Sequence, residues 1–199
     1  MPFDTAYAHK SDAFAAKPGW VTEANQCLRA VLPRATPCSL TYLDFACNTG
    51  RIFSLVPAVH TRIGVDVNEY ALKLAREKRQ HVDFRSSLTG VKDESVDAVT
   101  FMHALCQVDD ATAVLNELFR VMKPGARMAV LVHNVWHHRM MAIPNLFNGY
   151  KSDPNIKRHF SLSTLRSFMR DHGFDVVEAS KMGDEIVPSR LFMVVMKPV

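Results

Sequence analysis

The chemistry this chain can offer begins at a short turn, Asp44-x-Ala46-x-Asn48-x-Gly50, and at a second acid downstream, Asp66. A turn of this kind between a strand and a helix presents backbone N–H groups to an anion. An acid at the end of the next strand can accept both hydroxyls of a ribose, so the pair suits a nucleoside. A dinucleotide site requires G-x-G-x-x-G, which Ala46-x-Asn48-x-x-Arg51 does not supply. His103, His133 with Asn134, and His137 and His138 add groups able to move a proton near neutral pH. Cys27, Cys38, Cys47 and Cys106 form no C-x-x-C pair, which argues against a zinc ribbon or dithiol motif and fits a reducing compartment.

The elements that must position these residues alternate along the chain. A helical run carries Trp20, Val21, Ala24, Cys27, Leu28, Val31 and Leu32 at helical spacing and stops at Pro33. Leu40 to Ala46 reads as the first strand, followed by the turn and a helix from Arg51 to Val59. Arg62 to Val65 is the second strand, Asn68 caps a helix over Glu69 to Arg79, and Val82 to Arg85 is a third strand. Val96 to Met102 makes the fourth, Asp109 or Asp110 caps a helix through Met122, and Arg127 to Val132 makes the fifth. Ser161 opens a helix to His172 that Gly173 closes, and Phe174 to Ala179 and Leu191 to Met196 complete the set. Strands alternating with helices predict an α/β fold, a mostly parallel sheet covered on both faces, with the last pair able to add an antiparallel strand.

Bulk properties narrow the setting. The chain has 199 residues, 48% hydrophobic and 22% charged, which suits one domain spanning 1–199. No apolar run is long enough for a membrane helix and the first residues carry no signal-peptide block, so the expectation is a cytoplasmic protein without membrane contact. The net charge of +4 is mild, with Lys151, Lys157, Arg158, Arg166 and Arg170 clustered late. That cluster is a solvated helix face or a rim attracting an anionic substrate. It is not the dense basic stripe with interleaved aromatics that nucleic acid wants. No carboxylate cluster follows the fifth strand, so no metal is expected. Oligomeric state stays open between monomer and homodimer.

Four ordered segments carry a family resemblance: Leu43-Asp44-Phe45-Ala46-Cys47-Asn48-Thr49-Gly50-Arg51; Ile63-Gly64-Val65-Asp66-Val67-Asn68; Ser95-Val96-Asp97-Ala98-Val99; and Leu115-Asn116-Glu117-Leu118-Phe119-Arg120-Val121-Met122-Lys123-Pro124-Gly125. Together they resemble the class I S-adenosylmethionine (SAM)-dependent methyltransferases, over roughly 40–132 and again over 160–177. The resemblance implies a three-layer α/β/α sandwich with a seven-stranded Rossmann-like sheet, the last strand antiparallel and the reversed strand at the edge. It implies that Asp44 and the backbone from Ala46 to Gly50 line the methionine part of SAM, that Asp66 holds the ribose and that Val67 packs on adenine. Ser87 stands near where the family often places an adenine-reading Asp, and His103 borders the same site. Most of the family has glycine at the places of Ala46 and Asn48. Asn tolerates left-handed angles, whereas the Ala46 methyl group projects where the backbone normally closes on the ligand.

Transfer of an activated methyl group asks the enzyme to position a nucleophile, exclude water and take up a proton. His133 and His103 are the candidate base or orienter, with Asn134 beside them. Residues 135–160, with Trp136, Met140, Met141, Ile143, Leu146, Phe147 and Tyr150, read as a substrate wall or as core; 1–35, with Phe3, Tyr7, Phe14 and Trp20, reads as a lid. The implied activity is methylation of a small-molecule acceptor, in specialised metabolism. One alternative is internal attack on a carbon next to sulfur, releasing methylthioadenosine. Another is a binding partner without catalysis.

Overall fold

The computed structural model describes residues 18–32, 39–58, 60–141, 155–183 and 188–199. Most of the expected lid and the wall residues Ile143, Leu146, Phe147 and Tyr150 lie outside them, as do Cys38 and Lys151. The elements are α1 (Pro18–Val31), β1 (Thr41–Phe45), a 3-10 turn (Arg51–Ser54), β2 (Thr61–Val65), α2 (Glu69–Lys78), β3 (Asp83–Arg85) and β4 (Val96–Met102). They continue with α3 (Ala111–Val121), β5 (Met122–His133), α4 (Val135–Met141), α5 (Leu162–Asp171), β6 (Asp175–Met182) and β7 (Arg190–Met196).

The strands form one seven-stranded sheet in the order β3-β2-β1-β4-β5-β7-β6. The pairs among β1 to β5 are parallel, and β7 runs antiparallel to both β5 and β6. The reversed strand therefore lies one place in from the edge and β6 forms the edge, which corrects the expected placement.

Period-two alternation decides what each face buries. Leu43, Ile63, Val65, Val99, Phe101, Met128 and Val130 face α3 and α5, meeting Leu115, Leu118, Leu165 and Met169. Tyr42, Ala98, Ala129, Leu131 and Phe192 face the other way, where Ala24, Cys27, Leu28 and Val31 of α1 and Leu72 and Ala75 of α2 cover them. Three helix starts follow their sequence signals. Asn68 Oδ1 accepts from Tyr70 and Ala71 N–H, Asp110 from Ala113, and Ser161 with Thr164 forms a capping box. Gly173 closes α5 at φ 84°.

Two elements differ from expectation. The helix expected over Arg51 to Val59 is a single 3-10 turn. Pro57 lacks an N–H and turns the residue before it away from helical angles, so the run cannot propagate. The fifth strand starts at Met122, which pairs with Val96 of β4, and Gly125 N–H bonds to Lys197 O and Lys197 N–H to Ala126 O, carrying the Lys-Pro-Gly stretch into the strand.

The late Arg-Val-x-Lys-Pro-Gly signature is scaffold. Arg120 reaches from α3 to Val91 O at 2.9 Å, Leu88 O at 3.3 Å and the Asp93 carboxylate, clasping the loop after β3. Lys123 Nζ pairs with Asp97 at 2.6 Å.

Gly64 leaves its neighbours no slack. A methyl group there would stand 2.6 Å from the Phe84 ring and 3.0 Å from Cys47 Sγ. Gly64→Ala is expected to destabilise the fold by about 1–3 kcal/mol through overpacking, read as a lower urea midpoint at unchanged slope.

Candidate functional site: the turn after the first strand

The turn after β1 folds on three left-handed residues, Ala46 at φ 62°, Asn48 at φ 49° and Gly50 at φ 69°. Alternating left-handed positions curl the backbone so that its N–H groups gather on one side. Local bonds hold the shape: Cys47 N–H to Val65 O at 3.0 Å, Gly50 N–H to Cys47 O at 2.9 Å, and Thr49 N–H to Asn48 Oδ1 at 2.7 Å. Gly50 is required twice over, by its angle and because a methyl group would meet the Phe84 ring at 2.7 Å. Asn48 stabilises its own conformation through the Thr49 bond. Ala46 carries the strain without such help, and its angle is one that alanine's identity in the sequence did not announce.

Asp66 clamps this turn to the end of β2. Its Oδ2 accepts from Asn48 N–H at 2.8 Å and its Oδ1 from Asn68 N–H at 2.9 Å, while its own N–H bonds to Arg85 O at 3.1 Å. Burial pushes the carboxyl pKa up, opposed by the N–H groups of Asn68 and Asn48. Each carboxylate oxygen keeps a further lone pair, so two hydroxyls can still be accepted. Beside it Val67 is 72% exposed, an apolar side chain that an adenine ring would cover. Ser86 and Ser87 are exposed after β3, and Ser87 Oγ accepts from Thr89 N–H at 3.3 Å. Turn, carboxylate and exposed apolar neighbour together fit SAM.

Behind the turn lies a buried polar chain. Tyr42 OH, Thr100 Oγ1 and Asp44 Oδ1 are linked at 2.5 and 2.6 Å. Burial lifts Asp44 from its ordinary 3.8 to about 7, against the lowering effect of the Thr100 bond and with a further push from the Asp66 charge.

The histidines stand at the same edge of the sheet. His103 follows β4 at φ 60° with its N–H on Leu131 O at 2.7 Å, and its ring lies 5.7 Å from that of His133 at the end of β5. Glu23 of α1, which residue type alone did not single out, meets His103 Nε2 at 2.9 Å. Asn134 is 2% exposed and its amide serves the backbone, donating to Pro188 O at 2.8 Å and accepting from Trp136 N–H at 3.1 Å. That amide starts α4 and ties it to the approach to β7. His137 is half-buried on α4 and Trp136 lies exposed beneath the Arg139 guanidinium. Of the basic cluster, Lys157 pairs with Asp109 and Arg158 lies over the Phe168 ring, while Arg166 and Arg170 are exposed. Among the described residues no group of three His, Cys, Asp or Glu could hold a metal ion, and no helix is long and apolar enough to cross a membrane.

Comparisons with known proteins agree on the family. A model described as a methyltransferase domain matches residues 19–179. A ubiquinone/menaquinone biosynthesis C-methyltransferase of Shewanella woodyi is 27% identical over 176 residues, 73% of this chain and 70% of that protein. A SAM-dependent methyltransferase of Aquifex aeolicus superposes with a TM-score of 0.73 at 19% identity, covering 98% of this chain and 99% of that one. A possible histamine N-methyltransferase of Thermotoga maritima gives 0.70 at 20% identity, covering 96% of each. At those identities the two structures speak for the fold alone.

Two expectations follow for the turn. Ala46→Gly removes a left-handed alanine costing about 1–2 kcal/mol and adds glycine's chain entropy of about 0.5–1 kcal/mol, so a small net gain in denaturant stability is expected. For Asp44, the folded state keeps a proton that the unfolded chain releases above about pH 4. The stability tied to that proton is complete below pH 3.8 and is lost as pH rises through 7. Asp44→Asn escapes this loss. Its melting temperature is expected to gain on the parent protein between pH 4 and pH 7 and to level off above that.

Proposed function

Because this chain belongs to the methyltransferase-domain family, we propose that it uses SAM to methylate a small-molecule acceptor bound over the carboxyl ends of β4 and β5. The observation that carries the reading is the placement of His103 and His133, 5.7 Å apart, at the same sheet edge as the turn and Asp66. SAM, when bound, supplies a methyl carbon already activated by its positive sulfur.

The protein's own share is binding, orientation and proton uptake. In this reading Asp66 holds the ribose hydroxyls with its remaining lone pairs, Val67 covers the adenine, Ser87 borders it, and the methionine end lies against Asp44 and the backbone of the turn, whose N–H groups from Cys47 to Gly50 are bonded within the protein. His103 and His133 receive the acceptor's proton. The altered turn keeps all three left-handed positions, which favours an unchanged cofactor pose and methyl transfer over internal attack.

The test is product identification. The purified protein is incubated with SAM and a panel of phenols, amines and thiols, acidic and neutral, and the nucleoside product is identified by mass spectrometry. S-adenosylhomocysteine formed together with a methylated acceptor is expected. Methylthioadenosine instead would replace methyl transfer by internal attack. Asp66→Ala is expected to weaken SAM binding by about a hundredfold or more by calorimetry, since two hydrogen bonds to a charged group are worth about 1.5–3 kcal/mol each. Unchanged affinity would remove the ribose assignment.

A further inference from the structure

The buried chain behind the turn has a direction. Asp44 of β1 and Thr100 of β4 are partners in register, and Tyr42 stands two residues back on the same face of β1. Tyr42 and Thr100 are fully buried, and Phe53 packs T-shaped against the Tyr42 ring. Burial holds the Tyr42 phenol far above its usual range, so it keeps its proton. Among the described residues that proton has one acceptor, Thr100 Oγ1. Thr100 therefore accepts from Tyr42 and gives its own hydrogen to Asp44 Oδ1. Reversing the chain would leave a phenol hydrogen buried without a partner. Oδ1 is thus occupied, while Oδ2 takes no hydrogen bond from any described residue.

Nothing nearby supplies Oδ2 with positive charge. Asp66, at the end of β2, adds a second buried carboxyl whose charge raises the pKa of Asp44. Cys27 of α1 and Cys47 of the turn are thiols that burial keeps protonated, Cys27 with its pKa pushed up to about 12. Glu23 of α1 is held by His103 and Arg190, and Arg76 of α2 turns to Glu69 and Phe84 O. No Lys or Arg among the described residues forms an ion pair with Asp44 or Asp66.

We propose that Tyr42 and Thr100 are positioning residues for cofactor capture: by fixing Oδ1 they reserve Asp44 Oδ2 for the α-ammonium at the methionine end. The inference rests on the SAM reading above. An ammonium brings hydrogen-bond donors as well as charge, which a sulfonium does not, so it is the group of SAM that suits a carboxylate oxygen.

The competing role is plain core packing, and the choice of ligand separates the two. S-adenosylhomocysteine keeps the ammonium on a molecule with neutral sulfur; methylthioadenosine keeps adenine and ribose but has no amino-acid end. By calorimetry on the full chain at neutral pH, Thr100→Val is expected to weaken S-adenosylhomocysteine about tenfold and to leave methylthioadenosine within about twofold. Thr100→Ser, whose hydroxyl restores the chain, is expected to return affinity to within about threefold of the parent. Tyr42→Phe is expected to lose about threefold, again for S-adenosylhomocysteine alone. In the ligand-free protein, 13C-carboxyl spectra of aspartate-labelled chain are expected to show the Asp44 midpoint higher in Thr100→Val than in the parent, because the lowering bond is gone. Should Thr100→Val fail to fold, the same nucleoside comparison and titration on Tyr42→Phe decide the matter. Equal losses for the two nucleosides, or an unmoved midpoint, make the pair core packing and overturn the proposal while the SAM reading stands. If neither nucleoside nor SAM binds the parent, the SAM reading itself falls and the proposal with it.

Discussion

The Asp66 carboxylate holds the ligand-facing edge of the sheet together. One oxygen takes the N–H of Asn48 and the other that of Asn68, while the Asp66 N–H itself bonds to Arg85 O. A single residue thereby ties the turn after β1, the entry to α2 and the end of β3. Asn68, so placed, caps α2 with its own side chain. The arrangement costs desolvation of a carboxylate, which is why its pKa rises even while two N–H groups favour the charged form. Backbone donors offset that burial and leave lone pairs on both oxygens, so in the proposed site the same group would serve the fold and the ribose.

The two sides of the sheet divide the labour differently. On one, α3 and α5 cover an apolar surface, and the Arg120 clasp braces the loop after β3 from outside. On the other, α1 and α2 cover a surface interrupted by Tyr42, Thr100 and Asp44, and α1 also carries Glu23 to the strand ends. The polar chemistry collects on and around the face that α1 closes. The segment most useful for recognising the family, Arg120 to Gly125, supports the scaffold through Val91, Asp97 and Lys197.

Much of this was legible in the chain because it is local. Asn68, Asp110, Ser161 and Gly173 act on backbone within a turn of themselves, and each does what its residue type suggests. That the turn, Asp66 and the two histidines stand at strand ends was likewise readable from the strand pattern. The misses were not local. The position of β7 between β5 and β6 depends on pairing across the whole sheet, and the short turn at Arg51 depends on Pro57 outweighing an apolar run. Glu23 reads as one acid on a helix until folding brings it to His103, and Asn134 reads as a free amide until Pro188 and Trp136 take both its ends. The angle of Ala46 was hidden because alanine's identity carries no preference for left-handed backbone.

Asp44 gives the site a proton inventory of its own. A carboxyl group with its midpoint at about 7 is about half protonated near neutrality, and it lies enclosed with Thr100 and Tyr42. A cation settling beside it favours the carboxylate and drives its proton into the medium. In the proposed site, capture of a positively charged ligand would therefore be coupled to proton release, and the heat of binding would carry the ionisation enthalpy of whichever buffer takes that proton.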